Sequence, residues 1–406
     1  MHFVEFVKAS VRLWLSGGRY YWAWMAFLLV LIASGALAYA GQLSEGLVVT
    51  SMRDQISWGF YIGNFTFLVG VAAAAVMLVV PAYVYDWEPI KEVAILGELL
   101  AISAIVMCFL FVTVDIGRPD RVHHLFPVVG SLNLPSSLLG WDVVVLNLYF
   151  FLNLGIVTYM LYATFLTGHY NKSLVIPLVL LSIPAAVSIH TVTAFLYNGL
   201  AARPFWNASI LAPRFLASAF CSGPAVLLIL FQILRRTNGL KIRDEALSKI
   251  AELMAYAMFI NLFLLGAEMF KEYYSNTEHI VFTKVLFSSF HGKTDVHYFM
   301  WPALVCSVGA FLLFLIPATR RNVYTMNAGC LMIYFGVYVE KGMGLLIPGQ
   351  TPDTLGEIFR YAPSLAELRV SAGVFSVGFL LFTLMVKAAI PISLGTVRAA
   401  AAPPGH

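Results

Sequence analysis

The sequence predicts an all-α polytopic membrane protein with ten transmembrane helices. Of its 406 residues, 60% are hydrophobic and only 11% are charged, whereas roughly a quarter of the residues in a soluble domain are charged. Ten apolar segments are long enough to span a bilayer, and short polar connections separate most of them. The basic residues behind the net charge of +4 lie scattered in these connections, so they do not indicate nucleic acid binding.

Each predicted span contains about 20 residues, the length that a helix needs to cross the hydrocarbon core. Short connections predict that consecutive helices pack as antiparallel neighbours. The first apolar run is longer than the roughly 7–15 residues of a signal-peptide core, so we expect an uncleaved helix there. We expect disorder in the tail VRAAAAPPGH. The predicted spans are residues 20–40, 58–84, 93–115, 141–167, 173–197, 211–235, 249–272, 299–319, 323–347 and 370–391.

The distribution of Lys and Arg predicts the orientation of the chain. Most of these residues lie at the termini and in the even-numbered connections, above all in RRTNGLKIRDEALSK. Because basic residues favour the cytoplasmic side, we expect both termini in the cytoplasm and the chain in the inner membrane. The four cysteines fall inside apolar segments without a CxxC pattern, so the sequence predicts neither a disulfide framework nor a metal site.

Polar side chains inside the predicted spans are the candidates for function, because an ionisable group in lipid is costly unless it faces a partner or a wet cavity. Counting helix directions places all of them except Glu98 toward one side of the membrane. That side also holds the polar connection from Asp115 to Asp142. The six candidates are Asn64, Glu98, Asp142, His190, Glu268 and Glu340.

Each candidate also has a structural interpretation. Asp142 is placed to cap the N-terminus of its helix or to stabilise it by charge. Asn64 can hydrogen-bond between helices, and His190 can be satisfied by neighbouring hydroxyl groups. The alternative ion pairs are Glu268 with Lys271, Glu340 with Lys341, and Arg118 and Arg121 with Asp115 and Asp120.

The chemistry that best uses these groups is proton exchange with a quinone. A quinone requires hydrogen-bond donors, an apolar slot and a base, and a His–Asp pair supplies the base. We therefore predict His190 and Asp142 as catalytic residues, with the Asp115–Asp142 connection as one wall of the site. The predicted quinone-binding residues are Asn64, His123, His124 and Glu268, and the predicted proton path contains Glu98 and Glu340.

Several motifs resemble the NrfD/PsrC family of integral membrane subunits, over roughly residues 56–390. They are SWGFYIGNFTFLVGVAAAA (57–75), ILGELLAISA (95–104), DIGRPDR (115–121), SIHTVTAFLYNGLAARPFWNASILAPRFLASAFCSG (188–223) and LLGAEMFKEYYS (264–275). Within the family, the ten-helix length and the stretch from TRRN to RYAPS look most like DsrP-type subunits of sulfite-reductase-associated complexes. Related subunits often carry Trp-Asp after the helix-five His. This chain has Phe195-Leu196 there, so Asp142 is the predicted acidic partner of His190.

The resemblance implies two four-helix bundles, formed by helices 2–5 and 6–9, with flanking helices. It divides the chain into helix 1 (1–56), a first bundle with the quinone site (57–200), a second bundle (201–348) and the C-terminal part (349–406). It also implies menaquinone or ubiquinone as substrate, no tightly bound cofactor, and a subunit that is inactive alone. The implied partners are a periplasmic ferredoxin-like iron–sulfur subunit and further cytochrome and membrane subunits.

Two other functions compete with this interpretation. A haem b cytochrome needs axial ligands on facing helices, and of the nine histidines only His190 lies well inside a predicted span. An ion-coupled secondary transporter would use buried acids and broken helices, but the sequence shows no clear inverted repeat.

Overall fold

A computed structural model describes residues 2–85, 87–125, 128–237, 240–289, 294–353 and 355–399. These residues form helices and connections without any strand. Most of the predicted disordered tail lies outside the described residues. The helices are α1 (His2–Trp14), α2 (Arg19–Glu45), α3 (Phe60–Ala72), α4 (Ala74–Val79), α5 (Glu88–Asp115), α6 (Leu138–Thr167), α7 (Lys172–Asn198), α8 (Leu211–Thr237), α9 (Asp244–Ser275), α10 (Ile280–Phe287), α11 (His297–Leu315), α12 (Pro317–Arg320), α13 (Val323–Lys341), α14 (Met343–Gln350) and α15 (Leu365–Ser393).

The predicted all-α membrane fold is confirmed. In the part of the chain that the structure describes, ten helical segments are long and apolar enough to cross a membrane, and they match the ten predicted spans. Helices α3 to α7 pack around one axis, and α8, α9, α11 and α13 form a second bundle beside them. One continuous apolar core runs through both bundles because α3 packs against both α5 and α8.

Two flanking helices, α2 and α15, pack against each other along the first bundle. They approach closely at Gly35 and Gly373, where a Cβ atom added to Gly35 would lie 2.8 Å from the Cα atom of Gly373. The Arg369 side chain donates hydrogen bonds to Ser34 across the same contact. Small residues allow this close approach, which is how helices pack in a bilayer that offers little hydrophobic driving force.

The second and ninth spans are interrupted. In the second, α3 ends at Ala72, α4 follows, and a π-helical turn runs from Val80 to Val84, where Pro81 lacks a backbone donor. In the ninth, α13 ends at Lys341 and α14 begins at Met343. The Gln350 side chain at the end of α14 donates to the Trp58 carbonyl oxygen at 3.0 Å and accepts from the Trp58 backbone nitrogen at 3.5 Å. This contact joins the end of the ninth span to the start of the second.

The chain also begins with an amphipathic helix that hydropathy did not predict. In α1, the Phe6 ring packs against the Tyr162 and Phe165 rings of α6. The Trp14 indole nitrogen donates to the Leu384 carbonyl oxygen at 2.9 Å. With 13 residues, α1 is too short to cross a bilayer.

Candidate functional site

A cavity of about 480 Å³ lies where α5 and α7 end and where α3 and α6 begin. The 3₁₀-helical turn Pro119–Leu125 of the Asp115–Asp142 connection forms its outer wall. Its lining is mostly apolar and aromatic, and the volume falls within the range of small-molecule sites. The polar residues that line it are Asp115, Arg118, Arg121, Asp142 and Tyr197.

Asp142 is the one predicted catalytic residue that lines this cavity. Its side chain is buried, and Thr193 donates a hydrogen bond to its Oδ1 atom at 2.7 Å. The alternative interpretation of Asp142 as a helix cap is wrong, because the Ser137 hydroxyl accepts the capping hydrogen bond from the Gly140 backbone nitrogen. Asp142 therefore presents a carboxyl group, held by one hydroxyl group, to a cavity whose walls are mostly apolar.

His190 lies one turn before Thr193 on α7 but does not line the cavity. Its Nδ1 atom lies 2.8 Å from the Ala186 carbonyl oxygen, so Nδ1 carries the hydrogen. Its buried Nε2 atom has no hydrogen-bond partner among the described residues. The predicted hydrogen bond between His190 and Asp142 is absent, because Thr193 takes the position beside the carboxylate.

Aromatic residues form the wall between the cavity and the bundle interface. The Tyr197 ring packs edge-on against Trp58, with ring centroids 5.4 Å apart, and its hydroxyl group lies 2.5 Å from Thr66 Oγ1. Thr66 itself donates to the Ile62 carbonyl oxygen, so Tyr197 is the donor of the shorter bond. Packing and hydrogen bonding thus fix the Tyr197 and Trp58 rings in the wall of the cavity.

The polar connection contributes Arg118 and Arg121 to the cavity, but His123 and His124 do not line it. These two histidines are exposed, with ring centroids 4.3 Å apart. Arg118 donates to both carboxylate oxygens of Asp120, at 3.0 and 2.9 Å. That hydrogen bonding lowers the pKa of the Asp120 carboxyl group, so Asp120 stays ionised at neutral pH.

Asn64 links three helices rather than lining the cavity. The Tyr338 hydroxyl donates to its Oδ1 atom at 2.6 Å, and its Nδ2 atom donates to Ser371 Oγ at 3.3 Å. The interhelical alternative therefore describes Asn64 in this structure.

Glu268 and Glu340 meet in the second bundle through Arg214, which the sequence analysis missed. Arg214 pairs with Glu268 and with Glu340, the latter at 2.7 Å, and Asn261 donates to Glu340 at 3.0 Å. The alternative pairing of Glu268 with Lys271 is wrong, because Lys271 pairs with Glu272. The available signal was an arginine at the fourth residue of a predicted span, because a charge inside a span needs a partner.

Lys341 does not form the alternative ion pair predicted for it. Its ammonium group lies 3.5 Å from the centre of the Phe215 ring. This cation–π contact replaces the hydrogen-bonded pairing with Glu340, whose oxygens are taken by Arg214 and Asn261.

Glu98 lies toward the opposite side of the first bundle. It is buried, and its Oε2 atom has no hydrogen-bond partner among the described residues. Tyr83, in the π-helical turn, lies within electrostatic range of the carboxyl group. Across the described ranges, no three His, Cys, Asp or Glu side chains cluster in a way that could hold a metal ion.

Comparisons with known proteins match most of the sequence of this chain. The family described as "Polysulphide reductase, NrfD" matches residues 48–352. The chain is 26% identical to a putative membrane subunit of dimethyl sulfoxide reductase from Halobacterium salinarum, covering 88% of each chain. It is 23% identical to a subunit of selenate reductase from Mesobacillus selenatarsenatis, covering 91% of this chain and 93% of that one. A shorter segment is similar to the integral membrane subunit of menaquinone reductase from Nitratidesulfovibrio vulgaris. It is 29% identical over 98 residues, which cover 24% of this chain and 23% of that subunit.

Proposed function

Because the chain belongs to the NrfD family of polysulphide reductase membrane subunits, we propose that it exchanges electrons between the membrane quinone pool and a partner subunit of a redox complex. The observation that carries the proposal is the cavity, in which a buried carboxylate faces aromatic and aliphatic walls at one end of the first bundle. A relative named as a menaquinone reductase membrane subunit supports the choice of ligand.

The geometry suits a quinone headgroup. A planar ring fits against Trp58 and Tyr197, and one oxygen of the ligand then lies within reach of Asp142. In quinol oxidation, Asp142 accepts a proton from a ligand hydroxyl, and in quinone reduction it returns one. Thr193 positions the carboxylate, since its hydroxyl donates to Oδ1 and leaves Oδ2 for the ligand.

The electrons pass to a one-electron carrier in a partner subunit, for which we propose the iron–sulfur class. We place that partner on the outer surface over the Asp115–Asp142 connection, because this connection covers the cavity. With both termini in the cytoplasm, as the Lys and Arg distribution predicts, the partner is periplasmic and the chain resides in the inner membrane.

His190 is proposed to act behind Asp142 rather than on the ligand. Its Nε2 atom is a buried acceptor without a donor among the described residues, one turn from Thr193, so it can receive a proton that leaves the cavity region. Glu268 and Glu340 are assigned here to the Arg214 cluster, and Glu98 to proton exchange on the opposite side.

The terminal substrate belongs to the partner subunits. The similarity to DsrP-type subunits, and with it a role in sulfur metabolism, stays a prediction. The three relatives described above are named for dimethyl sulfoxide, selenate and menaquinone reductases.

The test is quinol oxidation by the intact complex carrying Asp142→Asn or His190→Ala. General acid–base groups contribute about 10²- to 10⁴-fold, so we expect Asp142→Asn to lose at least a hundredfold in turnover while the complex still assembles. Glu245→Gln, an exposed carboxylate on α9, is the matched control and should retain wild-type turnover. Normal turnover in both variants would refute the site.

A visible spectrum separates this proposal from its nearest rival. If the purified chain shows an α band after reduction with dithionite, it is a haem b protein, and the histidines must be reassigned as axial ligands.

A further inference from the structure

A second carboxylate, Asp115, lines the same cavity as Asp142. It is the last residue of α5 and is partly buried, whereas Asp142 is 2% exposed. Its Oδ1 atom is buried and accepts no hydrogen bond from any described residue. Buried polar atoms normally have partners, so this oxygen points to a donor that a ligand supplies.

The groups around Asp115 direct their hydrogens elsewhere. The Tyr61 hydroxyl donates to Gln42 Oε1 at 2.8 Å, and the Tyr361 hydroxyl donates to Glu367. Glu367 lies within electrostatic range of Asp115, but as a carboxylate it offers no donor. None of these residues therefore donates a hydrogen bond to Oδ1 of Asp115.

Arg118, on the same connection, does not neutralise Asp115 either. The sequence allowed Arg118 to pair with Asp115 or Asp120, and in the structure its guanidinium group binds Asp120. Glu367 is already held by the backbone nitrogens of Ser51 and Ser364, at 2.9 and 2.8 Å. Asp115 thus lines the cavity without a hydrogen bond to Oδ1 and without an ion pair to any described residue.

We propose that Asp115 is the second proton-exchanging carboxylate of the cavity, an assignment that rests on the proposed quinone function. When a quinol is oxidised, it loses two electrons and two protons and becomes a quinone. The two electrons pass one after the other to the one-electron iron–sulfur carrier of the partner, which hands the first on before it takes the second. One O–H bond breaks as Asp142 takes its proton, and the other breaks as Asp115 takes the second.

The position of Asp115 also explains where its proton goes. Helix α5 ends at this residue, and the nearby residues Gly117 and Arg118 are exposed. A proton on Asp115 therefore reaches the outer surface without crossing the bundle. Quinone reduction uses the same path in the opposite direction.

The experiment compares Asp115→Asn, Asp115→Glu and the control Asp54→Asn in the intact complex. Asp54 is an exposed carboxylate of the connection before α3, outside the cavity. The rate of quinol oxidation is measured between about pH 5 and about pH 9. Binding of quinone in the cavity is measured separately, as covalent labelling by an azidoquinone photolabel. We expect Asp115→Asn to turn over at least tenfold more slowly, to lose the rise in rate with pH that ionisation of Asp115 provides, and to label within twofold of wild type.

Asp115→Glu keeps a carboxyl group at this position and should have at least about a third of the wild-type turnover. Asp54→Asn should have the same turnover as the wild type. An Asp115→Asn complex with normal turnover and an unchanged pH profile, in a cavity that takes the label, would overturn this assignment alone. The assignment would also be overturned if the Asp115→Glu complex assembles but oxidises quinol no faster than the Asp115→Asn complex. Failure of the wild-type cavity to take the label would overturn the proposed function and this assignment with it.

Discussion

Replacing Arg214 with Met is expected to destabilise the second bundle strongly. Arg214 forms ion pairs with Glu268 and Glu340, and all three side chains are at most 10% exposed. The substitution leaves two carboxylates facing each other in an apolar bundle. Removing one partner of a buried ion pair costs about 3–5 kcal/mol. At about 1.4 kcal/mol per tenfold, the folded-to-unfolded ratio should fall by about a hundredfold to several thousandfold.

The measurement is the free energy of unfolding of the chain, determined by reversible denaturant titration in mixed micelles. Arg235→Met is the matched control, because Arg235 pairs with the largely exposed Asp244 and should lose at most about 1 kcal/mol. The triple variant Arg214→Met, Glu268→Gln, Glu340→Gln removes all three charges and should recover most of the stability. A loss below about 1 kcal/mol in Arg214→Met, or a triple variant as unstable as the single one, would refute this reasoning.

Two further variants test other parts of the molecule. Glu98→Gln should slow proton uptake from the α4 side while leaving quinone binding intact, and unchanged electron transfer and proton uptake in this variant would exclude a relay through Glu98. Gly35→Leu should separate α2 from α15 and cost about 1–3 kcal/mol, measured as a lower unfolding free energy. Gly155→Leu, where an added Cβ atom meets nothing within 4 Å, is its control, and equal losses in the two variants would contradict the close contact.

The ten spans could be predicted because length and apolarity alone decide whether a helix crosses a bilayer. The sixth, predicted at 211–235, is Leu211–Thr237, and the ninth, predicted at 323–347, runs through Gln350. Helix α1 was missed because its apolar residues are periodic rather than continuous, and hydropathy averages them away. The interruption after Lys341 leaves no hydropathy signal, so the sequence predicted the ninth span as one helix.

The sequence predicted where the candidate site lies, but not which side chains form hydrogen bonds and ion pairs with each other. Helix direction places Asp142 and His190 on the same side, yet the rotation of α7 about its axis decides which side chain faces Asp142. The structure selects Thr193, three residues after His190. Arg214 meets partners 54 and 126 residues away, and no local pattern encodes contacts of that range.

The hydrogen bonds between Gln350 and Trp58 have a mechanical consequence. Helix α14 is a short rod, about 12 Å long at 1.5 Å per residue, with the Glu340–Lys341 end of α13 at one end and Gln350 at the other. Because Gln350 binds the backbone of Trp58, this rod connects the Glu340–Lys341 end of α13, in the second bundle, with one wall of the cavity in the first.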